Sequence, residues 1–185
     1  MSRGPRSFVD VRPMLRGNMG PRMSTYEITQ RLMSVSAEYD VTKQGDPEPT
    51  FMVKGELMTT SPTLRLMPAK SKEVIALLQG NVLKTKFQVR GPKEEEIATI
   101  NFSAVAFRKT FTMTVGGKGY HASAGVVGVV KDSYACADND GKIAFILTKE
   151  PGIRDRFVIE VKDDKLITSE VAILAAVAVH SRFYE

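Results

Sequence analysis

Nine consecutive uncharged residues, Val171-Ala-Ile-Leu-Ala-Ala-Val-Ala-Val179, stand near the end of a chain that otherwise alternates polar and apolar side chains. A helix that is apolar on every side must be surrounded, by lipid or by protein, and length separates the two. Residues 169–182 form a helix of about 21 Å at a rise of roughly 1.5 Å per residue, whereas a bilayer span needs about 20 apolar residues. The segment is too short to span a membrane. The sequence therefore predicts a helix that plugs a β-barrel built by the residues before it.

Those residues read as strands. Period-two alternation, which puts successive side chains on opposite faces, marks eleven candidates: residues 26–32, 39–41, 50–57, 63–66, 74–78, 82–90, 97–102, 107–115, 120–130, 143–148 and 156–161. A helical turn fits residues 73–78 as well as a strand does. Many short strands at close spacing indicate a sandwich or barrel rather than a parallel α/β sheet. Two hairpins are signalled by residues that tolerate positive φ. Gly116-Gly-Lys-Gly119 separates Thr112-Met-Thr-Val115 from Tyr120-His-Ala-Ser123, and Asn139-Asp-Gly141 separates Ala135-Cys-Ala137 from Ile143-Ala-Phe-Ile-Leu147.

The closing helix is consistent with its ends. Thr168 or Ser169 can cap it, Glu170 stands in the first turn, and His180 and Arg182 stand in the last, each matching the macrodipole. Ala172, Ala175, Ala176 and Ala178 keep it slim enough for a narrow barrel.

A chain of 185 residues can bury one substantial core. Its net charge of +5 suggests an acidic partner, but the charge is concentrated at one end. Residues 1–23 carry Arg3, Arg6, Arg12, Arg16 and Arg22 against Asp10, a net of +4, which leaves +1 for residues 24–185. The tail is rich in Gly, Pro and Met without helical period and is expected to be disordered. Its composition also suits a mitochondrial presequence, but Pro5, Pro13, Gly17 and Gly20 break the amphipathic helix that import requires. The expected organisation is a basic tail over residues 1–23 and one domain over 24–185. Cys136, the one cysteine, cannot form an intramolecular disulfide, and no secretory h-region is seen near the N-terminus. An intracellular setting is expected, cytoplasmic with peripheral membrane association.

Several motifs together resemble the LURP-one-related proteins: Tyr26-x-Ile-x-Gln-Arg-Leu-Met-Ser34, Tyr39-Asp-Val, Pro49-Thr-Phe-x-Val-Lys-Gly55, Lys86-Phe-x-Val, and an apolar C-terminal helix after Phe157-Val-Ile-Glu-Val161. These proteins are similar to phospholipid scramblases and to the tubby C-terminal domain. The resemblance implies a mainly β fold, a closed twelve-stranded antiparallel barrel around a central hydrophobic C-terminal helix. It implies less about activity. Tubby domains bind phosphoinositides and scramblases are associated with Ca²⁺ and lipid, but no stretch here matches a tubby lipid site residue by residue, and the chain lacks the cysteine cluster that anchors scramblases by acylation.

The chemistry of the chain points away from an enzyme. If Gly141 in Asp138-Asn-Asp-Gly141 were the sixth position of an EF-hand, Cys136 and Leu147 would stand where Asp and Glu are required, so the motif reads as a turn. Gly116-Gly-Lys-Gly119 lacks the spacing and the Ser or Thr of a phosphate loop. His121 and His180 have no carboxylate or nucleophile at a motif spacing, and Cys136 has no basic flank, so all three read as structural. No Cys/His pairing fits zinc. No cofactor, metal site or catalytic residue is expected.

The basic residues are more informative. Read as one strand, residues 82–90 put Leu83, Thr85, Phe87 and Val89 on one face and Lys84, Lys86, Gln88 and Arg90 on the other. Arg108 follows Phe107 as a candidate neighbour. Lys84, Lys86, Arg90 and Arg108 form the candidate headgroup site. The plainer account is that a half-buried strand needs a polar outside, where lysine discourages edge pairing. The expected function is a non-enzymatic module binding anionic phospholipid, a phosphoinositide in particular, or a protein partner. The alternatives are a scramblase-like lipid translocator and a nucleic-acid binder acting through the arginine tail, nucleic acid being disfavoured by the near-neutral domain.

Five arginines and few apolar side chains make residues 1–23 a trypsin substrate. Limited digestion is expected to leave a stable core beginning near Ser24. Protection of Arg12 and Arg16 for as long as the core would show a docked tail.

Overall fold

The computed structural model describes residues 23–32, 34–57, 59–104, 109–127, 130–151 and 156–184. Residues 1–22 of the expected tail lie outside the described residues, and so does the candidate Arg108.

Twelve strands run in chain order: β1 (Ser24–Gln30), β2 (Glu38–Lys43), β3 (Phe51–Gly55), β4 (Thr63–Pro68), β5 (Ala76–Gly80), β6 (Lys86–Arg90), β7 (Glu96–Phe102), β8 (Thr110–Val115), β9 (Lys118–Val127), β10 (Val130–Asp138), β11 (Ile143–Glu150) and β12 (Arg156–Val161). One helix, α1 (Ser169–Phe183), follows. Each strand pairs antiparallel with its sequence neighbour, and β1 pairs with β12, Ser24 opposite Val161 and Thr29 opposite Arg156, which closes the barrel. Closure leaves no edge strand to pair with another chain.

Alternation along each strand sends one set of side chains inward. Tyr26 and Ile28 of β1, Tyr39 and Val41 of β2, Phe87 and Val89 of β6, and Phe157, Ile159 and Val161 of β12 are all buried. They meet α1, which is buried without interruption from Val171 to Ser181. Thr168 is the N-cap, its hydroxyl accepting from the Val171 amide at 3.5 Å. At the other end the Tyr184 amide donates to the His180 carbonyl at 2.9 Å. His180 lies at the end of the buried helix, as expected. Its Nδ1 lies 2.9 Å from the Tyr39 hydroxyl, and its ring packs edge-on against Tyr39 and Phe157. This bond, between groups 141 residues apart in sequence, fixes the helix in its channel.

Three readings change. The eleven candidates become twelve strands because residues 120–130 divide into β9 and the start of β10, whose register shifts between Val130 and Ser133. Residues 74–78 contribute to a strand, β5, that begins two residues later. Residues 82–90 are not one strand, since β6 begins only at Lys86.

Up-and-down connectivity sorts the turns between two ends. The links β1–β2, β3–β4 and β5–β6 lie at one end, where the C-terminus of α1 emerges, and we call this end the mouth. The links β2–β3, β4–β5, β6–β7, β8–β9 and β10–β11 lie at the base, where α1 begins.

An arginine in place of Ala176, which is 1% exposed, would set an ion among apolar side chains with no partner. The cost is several kcal/mol, on the order of half the stability of a domain. Ala176→Arg is expected to give unfolded or aggregated protein. A melting temperature close to that of the parent, measured by circular dichroism, would contradict the enclosed position of the helix.

Candidate functional site

The β5–β6 turn is made by Asn81. Its side-chain carbonyl accepts from the amides of Thr85 at 2.8 Å and Lys86 at 3.1 Å, and its amide group donates to the Thr85 hydroxyl at 2.9 Å. An Asn that binds backbone a few residues on mimics a turn. Lys84 accordingly adopts a φ of +52°. This overturns the continuous cationic stripe expected over residues 82–90. Leu83, expected to face inward, is 72% exposed.

The candidate residues therefore part company. Lys84 lies in the turn at the mouth, and Lys86 is the first, exposed residue of β6. Arg90 sits at the far end of the same strand, half-buried, with Nη2 donating to the Gln88 side chain at 3.0 Å. It lines an open trough of about 760 Å³ outside β4, β5 and β6, shared with Arg65, Glu56 and Glu94. Arg65 is held by Glu56 at 2.5 Å. Two acids against two arginines leave the trough without an anion-selective field, so Arg90 is the weakest of the described candidates.

A residue that the sequence pattern did not single out as a ligand contact joins the mouth instead. Arg182, read only as a complement to the helix dipole, reaches the β5–β6 turn, its Nη1 3.5 Å from the Leu83 carbonyl. Lys84, Lys86 and Arg182 thus surround one apolar turn tip, Val82-Leu83. Among the described residues neither Lys86 nor Arg182 has an ion-pair partner. Beside the turn, between the β3–β4 and β5–β6 links, lies a cleft of about 300 Å³ lined by Thr59, Thr60, Val82, Lys84 and Ser181.

The mouth also carries unusual apolar exposure. Among the described residues seven large hydrophobic side chains are exposed, and five of them, Leu32, Val35, Leu57, Val82 and Leu83, lie on the three adjacent mouth turns. Single exposed apolar residues need no explanation, whereas a cluster does. Elsewhere at this end, Tyr184 forms a closure over the helix. Lys109 and Lys149 lie 4.4 and 4.6 Å from its ring centroid, and its hydroxyl is 3.2 Å from the Lys109 ammonium. Lys109 also pairs with Asp132 at 3.3 Å.

The base has another character. Asp138 of the Asp138-Asn-Asp-Gly141 motif makes the expected turn, accepting from the amides of Asp140 and Lys142 and from the Lys118 ammonium at 2.8 Å. Asp163 accepts from the Lys142 ammonium at 2.6 Å and the Lys165 amide. Gly116 and Gly117, both at positive φ, form the two-residue β8–β9 hairpin loop between paired Val115 and Lys118. His121 is on the outer face of β9 with Thr112 and Ala137 as its cross-strand neighbours. Burial pushes the Cys136 thiol up to about 12, far from a reactive thiolate.

The order of motifs, the closed barrel and the threaded helix agree with one further observation: a family model described as LURP-one-related matches residues 24–180. The chain belongs to this family. No curated protein matches it. The LURP-one-related match begins at the first residue of β1 and ends at His180, so it takes in every strand and most of the helix.

The lysine contacts hold the carboxyls of Asp138 and Asp163 below the usual aspartate value. A lowered folded-state pKa stabilises above the unfolded value, and the contribution is lost as pH falls through the folded one. Stability in this LURP-one-related barrel is therefore expected to hold from neutral pH to about pH 5 and then to decline, given an unperturbed aspartate near 3.9. Asp138→Asn should melt lower at pH 7 and lose less on acidification. Equal acid slopes in the two proteins would show that Asp138 does not contribute.

Proposed function

We propose that this LURP-one-related domain is a non-enzymatic module that binds anionic phospholipid at a membrane surface, with phosphoinositide headgroups as the ligand class. The observation that carries the reading is the convergence of Lys84, Lys86 and Arg182 on one turn at the barrel mouth. Each cation held near an anionic membrane contributes about 1 kcal/mol, within a screening length of roughly 8 Å at physiological salt. Three such contacts support weak, salt-sensitive attachment. The non-enzymatic part of the reading is supported by His180 bonded to Tyr39 inside the barrel and by the buried thiol of Cys136.

A scramblase-like role through the terminal helix gains no support from this fold. No helix among the described residues is long and apolar enough to cross a membrane, and α1 is surrounded by strands. A nucleic-acid role would fall to the arginines of residues 1–22, outside the described residues. A protein partner remains the competing reading for the mouth, favoured by its exposed apolar side chains.

The test is co-sedimentation of the full chain with phosphatidylcholine vesicles with and without phosphoinositide, at low and physiological salt. A background variant replaces Arg3, Arg6, Arg12, Arg16 and Arg22 with glutamine, so that the tail does not supply the attraction. Binding should require phosphoinositide and weaken with salt. Lys84→Glu with Lys86→Glu should lose on the order of tenfold or more in affinity without a lower melting temperature. Failure of the parent chain to bind at low salt would exclude the lipid reading. Undiminished binding by the double variant would move the headgroup site away from the β5–β6 turn.

A further inference from the structure

The exposed apolar side chains at the mouth are not distributed like ordinary surface hydrophobics. They occupy the β1–β2, β3–β4 and β5–β6 turns, three neighbours around the barrel circumference, and all lie at the same end of the barrel. Val35 is 89% exposed and Leu83 72%. Between the tips stand short hydroxyl side chains, Ser34 and Ser36 on the first turn and Thr59 and Thr60 on the second, which suit a polar interface without filling it. The apolar tips are separated by clefts of about 460 Å³ beside the first two turns and about 300 Å³ beside the second and third, both lined with hydroxyl side chains. A fluid apolar phase fits such tips without shape complementarity.

Charge selects among apolar phases. The tip at Val82 and Leu83 has Lys84 next to it in the turn, Lys86 at the start of β6, and Arg182 against the Leu83 carbonyl. Lysine and arginine extend their stems along apolar surroundings while the charged head stays with water and phosphate. The base turns mix acids such as Asp46, Glu48, Glu94 and Glu95 with Lys70, Lys72, Lys93 and Lys142, so the cations grouped around Val82 and Leu83 favour the mouth as the end that meets an anionic surface.

We infer that the barrel mouth is a membrane-inserting rim: Leu32, Val35, Leu57, Val82 and Leu83 enter the apolar layer of an anionic bilayer while Lys84, Lys86 and Arg182 stay at its headgroups. This rests on the phospholipid reading above and adds to it an orientation, mouth toward the membrane, and an apolar contribution that headgroup binding alone lacks. The occupant of the rim is lipid.

The chain contains no tryptophan, so one introduced indole reports from one place. Leu83→Trp and Val35→Trp place it on the rim, and Ile143→Trp, at an exposed position of the base, is the control. With vesicles of phosphatidylcholine, phosphatidylserine and phosphoinositide, the two rim indoles should shift their emission to the blue and be quenched by acyl-chain bromine. The control should do neither. Leu83→Glu should lower vesicle partition by on the order of tenfold, the usual worth of burying one such side chain.

If the parent chain co-sediments with vesicles but neither rim indole shifts, the insertion is overturned and the headgroup reading survives. If the parent chain does not co-sediment, both fall. A blue shift without vesicles that grows with protein concentration would assign the rim to a second copy of the chain and overturn the lipid occupant.

Discussion

Everything in this structure depends on a β-barrel closing around a helix that occupies its interior. An apolar helix without an uncovered face has to be enclosed, and α1 is buried from Val171 to Ser181. The strands in turn need something to fill their inner face, which carries Tyr39, Phe87, Phe111, Tyr134, Phe145 and Phe157. Combining them covers the helix and the inner face of the strands together. Ala172, Ala175, Ala176 and Ala178 are fully buried and keep the helix slim beside this ring-rich inner face.

The same constraint decides where a ligand can meet the molecule. A barrel of this size can hold a small ligand when its interior is open, but here the helix takes that space. The clefts described above accordingly lie on the outer faces of strands and at the turns. On the β12, β1, β2 and β3 side, outer charges are consumed in cross-strand pairs such as Arg156 with Glu27, Arg31 with Asp40 and Lys54 with Glu38. Exposed pairs of this kind contribute little each, but they neutralise the face. At the β5–β6 turn, by contrast, Lys84, Lys86 and Arg182 stand beside Val82 and Leu83 with no acid in the turn itself.

Much of the architecture was legible in the sequence because burial is periodic. The uncharged run at 171–179 could only be enclosed, and strict alternation marked most of the strands. The strand β10 was harder to see, since Lys131 and Asp132 follow its first residue, Val130, the rest is mostly small apart from Tyr134, and its pairing is irregular on both sides. The site was less legible, for a definite reason. Leu83, Lys84, Thr85 and Lys86 keep the parity of the strand that follows, so alternation runs straight through a turn that one Asn side chain creates. The signal that could have located it is that Asn, followed by two large apolar residues with no partner strand for them. Arg182 was invisible as a site residue because 99 positions separate it from Leu83, and only the threading of the helix brings them together.

That threading couples the site to the fold. Lys84 and Lys86 come from a hairpin, whereas Arg182 comes from the last turn of the central helix, one residue from Ser181, which lines the mouth cleft. The helix is held at this level by the hydrogen bond between His180 and Tyr39 and by Tyr184 between Lys109 and Lys149. An α-helix advances about 1.5 Å per residue, so sliding the plug by one residue would already move the guanidinium by a large fraction of a hydrogen-bond length. The closing contacts of the barrel thus also set the spacing of its cations. The bond between His180 and Tyr39 and the charge arrangement at the mouth are parts of one mechanical unit.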